Sequence, residues 1–113
     1  MRRPWHLTRI GPAGLLFEPS EGLNPSAALD YIEDLVQVLL SSESRYLYYD
    51  VKDVAIIDTV YYQWLLQLER SCRLLGVRLV VLHMRPETAF ALGRSLDGPI
   101  PFSCAQGLDR PPV

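Results

Sequence analysis

"YLYYDVKDVAIIDTVYYQWLLQLERSCRLLGVRLVVLHM", Tyr46 to Met84, contains two apolar strand-like runs with a helical pattern between them. The first run, Tyr46 to Val51, is rich in tyrosine and reads as a buried strand, followed by a short extended segment "VAIID". From Thr59 to Leu75 the apolar positions Tyr61, Leu65, Leu68, Cys72 and Leu75 recur in steps of three and four, and Gly76 supplies a C-terminal stop. "VRLVVLHM" is then a near-continuous apolar run, of the kind a parallel sheet buries on both faces. Strand, helix and strand at this spacing call for a right-handed parallel crossover.

The flanking sequence extends this unit. Trp5 to Ile10 and Leu15 to Phe17 are short β-prone runs around "GPAG", which reads as the turn of a hairpin. In "EGLNPSAALDYIEDLVQVLLSS" Asn24 is placed to cap a helix, Pro25 suits its first turn, and Leu29, Ile32, Leu35, Val36 and Leu39 form an apolar stripe. "RPETAFALGRSL" predicts a third helix opened by Pro86 and Glu87, and Ile100 to Ser103 a last strand. The expected fold is α/β: a mixed sheet with an antiparallel N-terminal hairpin and parallel strands, covered by helices, in one domain.

Composition narrows the function. A chain of 113 residues, 49% hydrophobic and 21% charged, suits one folded domain and argues against disorder. The net charge of −2 lacks the basic excess that phosphate-backbone binding requires, so no nucleic-acid partner is expected. Apolar runs fall short of the ~20 residues a membrane helix needs. Polar residues, Gly11 and Pro12 interrupt the N-terminal segment before an export signal develops. The expectation is a soluble cytoplasmic protein without membrane insertion.

Few residues suggest reaction chemistry. There is no Gly-rich phosphate loop and no GxSxG elbow, so no cofactor and no enzymatic activity are expected. His6 and His83 lack a second ligand at metal spacing, and Cys72 and Cys104 read as small buried hydrophobes rather than metal ligands. Asp50 stands at a strand end, as the phosphate-accepting aspartate of a receiver domain does. The companion acids and the lysine of that site have no convincing equivalents, so Asp50 reads as closing a strand. The many tyrosines fit strand and helix packing better than a stacking surface.

Asp58 and Thr59 are the remaining polar interruption. Both residue types cap helices by accepting hydrogen bonds from the free N–H groups of a first turn. On a helical wheel of about 100° per residue, Thr59 lies about 160° from the centre of the Tyr61 stripe and shares an outer face with Tyr62, Gln63 and Leu66. A hydroxyl beside apolar groups that the core does not claim suggests a partner-binding face formed by Tyr62, Gln63 and Leu66. Capping and switching are compatible, because a phosphate at a helix N-terminus is favoured by the dipole while the adjoining Asp58 opposes it.

These segments resemble a STAS domain, the fold of anti-sigma factor antagonists. The resemblance rests on the strand Tyr46 to Val51, the "V.FIDS/T"-like Val54 to Thr59, the helix ending at Gly76, the strand Val77 to Met84 and the "xPE"-like Arg85 to Glu87. "GLLFEPSEGLNPSAALDYI" extends it to the second strand and first helix, so that residues 1–108 form the STAS-like domain and 109–113 a disordered tail. The resemblance implies that Thr59 is phosphorylated by a serine/threonine kinase or anti-sigma factor of the GHKL type, with Asp58 as the adjoining acid. Val60 and Tyr61 stand where sporulation-type antagonists continue "DSSG", and "LGVRLVVLHMRPE" is closer to stressosome-scaffold members of bacterial stress responses. It implies a non-enzymatic signalling module whose partners include other STAS proteins or itself. The alternative is a constitutive scaffold subunit of a stressosome-like or lipid-transport complex, without phosphorylation. Neither Ser20 nor Ser26 is assigned as a second site.

Overall fold

Trp5–Ile10 (β1) and Gly14–Pro19 (β2) pair antiparallel, with Gly11 turning the chain at φ 63°. The computed structural model describes residues 3–95 and 100–108. Gly14 packs too closely for any side chain: a Cβ there would lie 2.8 Å from the Tyr48 ring and 2.9 Å from the Ile10 carbonyl oxygen. After β2, Asn24 caps a 3-10 turn at Pro25–Ala27 by accepting from the Ser26 N–H, and the chain continues as helix α1, Ala28–Ser42. The remaining elements are β3 (Tyr46–Asp50), α2 (Thr59–Leu74), β4 (Arg78–Leu82), α3 (Pro86–Ser95) and β5 (Ser103–Ala105).

The strand order is β1-β2-β3-β4-β5, and every pairing after the first is parallel. Each crossover advances by one strand in the same direction, so the right-handed rule directs the crossover helices to one face of the sheet. Alternation along the strands matches this arrangement. Leu15, Phe17, Leu47, Tyr49, Leu79 and Val81 belong to the core cluster with α1 and α2. Leu16, Tyr46, Tyr48 and Val80 occupy the opposite face by the two-residue period. Val80 and Val81 are both fully buried, as a central parallel strand requires.

Helix α2 supplies most of its own side of the core through Tyr61, Tyr62, Trp64, Leu65, Leu68 and Cys72. It ends in a Schellman motif: the Gly76 N–H donates to the Arg73 carbonyl, the Val77 N–H to the Cys72 carbonyl, and Gly76 adopts φ 73°. A buried polar chain ties α2 to β3. The Trp64 Nε1–H donates to the Tyr49 hydroxyl at 2.9 Å, and the Tyr49 and Tyr61 hydroxyls lie 2.6 Å apart. Desolvation, followed by the proximity of Tyr61, holds the Tyr49 hydroxyl protonated well above its ordinary range.

Several expectations require correction. Leu29 is not in the buried stripe of α1; it is 79% exposed. The 3-10 turn before the helix sets its rotation so that Ala28, Leu35 and Leu39 are buried, with Tyr31 and Ile32 beside them. The last strand runs over Ser103–Ala105 rather than from Ile100, since Pro101 has no N–H to give to a ladder. Cys72 is buried, its thiol pushed up to about 12 by desolvation, but Cys104 is exposed. The tail 109–113 and residues 96–99, including the end of the third predicted helix, lie outside the described residues.

Candidate functional site

The loop from β3 to α2 delivers Asp58 and Thr59 to the start of a sixteen-residue helix. Asp58 is the N-cap: its backbone is extended, its Oδ1 accepts from the Tyr61 N–H at 2.9 Å, and its carbonyl accepts from the Tyr62 N–H. Thr59 is the first residue of α2 and is exposed. The two residues therefore divide the work. Asp58 satisfies the helix end, and the Thr59 hydroxyl stands at the surface where the dipole favours negative charge.

Thr59 borders a groove of about 530 Å³ between the β3–α2 loop and α3, lined by Ile56, Ile57, Tyr62, Glu87, Thr88 and Leu92 among others. Ile56, at 76% exposure, projects from this loop, and Val60 is half-exposed one residue beyond Thr59. The charged residues lining the groove are Asp58 and Glu87, both acidic. A phosphate on Thr59 would thus add charge to a site with no cation in its lining.

The expected outer face of Tyr62, Gln63 and Leu66 divides. Gln63 is exposed. Tyr62 is buried, with 2% of its surface accessible, and packs against Phe102 with ring centroids 6.0 Å apart. Leu66 is half-buried and packs against the core. The helical wheel puts both on an outer face, but Phe102, just before β5, packs over Tyr62, and Leu66 packs against the core. The apolar groups left at the surface near Thr59 are Ile56 and Val60. Gln63 borders a different groove, between α1 and α2, with Leu29 and Trp64.

A polar pair that the sequence did not connect lies at the carboxyl ends of β3 and β4. Asp50, buried at the end of β3, lies 2.9 Å through Oδ1 from the Nδ1 of His83 and accepts from the Lys52 N–H. His6 is exposed on β1. The sequence patterns around the two histidines do not announce the pairing. The signal that could have found it is register: Asp50 pairs with Leu82, the neighbour of His83, once β3 and β4 are parallel. Among the described residues no group of three or more His, Cys, Asp or Glu side chains could hold a metal ion, and no helix is long and apolar enough to cross a membrane.

No protein-family model matches the chain, and no curated protein matches its sequence. Solved structures do. A Moorella thermoacetica RsbS variant with a serine-to-glutamate substitution superposes with TM-score 0.75 at 17% identity, over 95% of this chain and 90% of that one. A structure described as the molecular architecture of the stressosome, a signal integration and transduction hub, gives TM-score 0.77 at 17% identity, covering 92% and 90%. The anti-sigma factor antagonist SpoIIAA in its unphosphorylated form gives 0.64 at 10% identity, covering 93% and 90%. With its antiparallel hairpin followed by parallel crossovers, the chain has the STAS fold that these structures share.

Proposed function

We propose that this protein is a non-enzymatic STAS signalling module whose partner binding is controlled by phosphorylation of Thr59. The observation that carries the reading is the exposed Thr59 hydroxyl at the first position of α2, with the cap supplied separately by Asp58. A phosphate there costs the helix no capping bond and brings roughly −1.5 to −2 charge beside Asp58 and Glu87. That charge alters the surface formed by Ile56 and Val60 without unfolding the domain. The phosphate donor in this reading is a GHKL-type serine/threonine kinase or anti-sigma factor, and the setting is the cytoplasm. Likeness to an RsbS variant with a serine-to-glutamate substitution and to an antagonist described by its phosphorylation state supports it.

A second reading is a constitutive scaffold subunit of a stressosome-like or lipid-transport complex, assembled with other STAS proteins or with itself. The higher TM-scores for RsbS and the stressosome than for SpoIIAA favour the stressosome version. Mass spectrometry of protein purified from its own cells separates the two. Phosphate on Thr59, lost in Thr59→Ala, supports the switch; unmodified protein in a large complex supports the scaffold.

A further inference from the structure

The carboxyl ends of β3 and β4 hold a second polar site, which adjoins the Thr59 groove and shares Ala55, Ile57 and Thr88 with it. His83 follows β4 in the left-handed region at φ 64°, a conformation uncommon for residues other than glycine. Its backbone N–H donates to the Ala105 carbonyl, and its ring returns to Asp50. Such backbone strain persists where the surroundings impose it, and it concentrates at functional sites. Beside the ring is a small, partly open recess of about 50 Å³, to which Lys52, His83, Arg85 and Thr88 contribute alongside Val51, Val54, Ala55, Ile57 and Met84. One water needs about 10–15 Å³ on this scale, so the space suits a group of several heavy atoms and excludes a nucleotide.

The chemistry of the lining selects the ligand class. Lys52 and Arg85 are cationic, and Thr88 brings a hydroxyl and the amide of the third position of α3, one of the N–H groups a helix cannot satisfy itself. Among the described residues the Arg85 guanidinium has no ion-pair or hydrogen-bond partner. The opposing charge in contact with this group is Asp50. Its carboxylate already faces the His83 ring at 2.9 Å and the Lys52 ammonium at 3.7 Å. Asp50 acting on Nδ1 also orients the ring and leaves Nε2 for a ligand.

We propose that Lys52, His83, Arg85 and Thr88 bind a small tetrahedral oxyanion of the phosphate class, with Asp50 as the positioning residue for His83. A purely structural clasp of Asp50 with His83 and Lys52 would not need Arg85. The test is a titration of the intact protein with inorganic phosphate, with sulfate as an anion of the same shape and chloride at matched ionic strength. His83 ring nitrogens and the Thr88 amide are followed by NMR. Phosphate should shift both saturably and chloride should not. Lys52→Ala and Arg85→Ala, both at exposed side chains, should keep the wild-type urea midpoint and each weaken phosphate binding by about tenfold or more. Equal shifts with chloride, no saturable shift, or undiminished phosphate binding in both variants would overturn the proposal. Sulfate saturating equally supports a general oxyanion site, and preference for phosphate a site selective for its charge.

Discussion

Asp58 and Thr59 are neighbours with opposite structural weights. The Asp58 carboxylate makes the capping bond to the Tyr61 N–H, while Thr59 makes no hydrogen bond through its side chain to another described residue. Asp58→Ala should therefore cost on the order of 1 kcal/mol. Thr59→Ala should cost clearly less. Urea midpoints of the two variants check the division, and a larger loss in Thr59→Ala would reverse it. Tyr49 carries a different burden, because its hydroxyl accepts from Trp64 and is shared with Tyr61 inside the core. Tyr49→Phe should cost about 1–3 kcal/mol by leaving the buried Trp64 N–H unpaired. It should also change the alkaline limb. The folded protein keeps Tyr49 protonated while the unfolded chain ionises it near pH 10, so wild-type stability falls as pH rises past about 10. In Tyr49→Phe that slope should be shallower, with Tyr61, Tyr62 and Cys72, which burial also raises, contributing to what is left.

At the scale of the element, α2 is a helix covered on two sides. Leu68 faces the sheet and is fully buried, so Leu68→Ala should cost ~2–5 kcal/mol through the cavity it leaves. Leu66 sits on the flank that a wheel assigns to the outside, yet it packs against the core. Leu66→Arg should accordingly lower the urea midpoint, whereas Gln63→Arg on the exposed face should leave it within experimental error. Equal midpoints for Leu66→Arg and wild type would return Leu66 to the surface. Periodicity identifies one face of a helix, but it does not say whether a second neighbour covers the next. In α2 the neighbour over Tyr62 is Phe102, forty residues further along the chain.

For the whole molecule, the surface available to a partner follows from which apolar groups remain after folding. Near Thr59 these are Ile56 and Val60, so Ile56→Glu and Val60→Glu should weaken capture of a native partner with an unchanged circular dichroism spectrum. Thr59→Glu should act in the same direction by adding charge beside Asp58 and Glu87. Undiminished capture by all three variants would move the partner interface to another face of the domain.

The strand–helix–strand order, the acid at the start of α2 and the glycine at its end were legible in the sequence. Each depends on contacts within a few residues: a cap bond spanning three positions, a left-handed stop, an apolar stripe of period 3.6. Even the parallel crossover was accessible, because the handedness of a short connection leaves few alternatives. Three features had no local signal. The rotation of α1, which exposes Leu29, depends on how the 3-10 turn leads into the helix. The burial of Tyr62 depends on the chain around β5, and the meeting of Asp50 with His83 on the register between β3 and β4. These are contacts between residues thirty or more apart in the chain, or helix rotations set by packing, and side-chain periodicity carries no information about either. Local chemistry determined the elements and the Asp58 cap beside Thr59; only tertiary packing decided which surface is left to bind a partner and which polar groups meet at the strand ends.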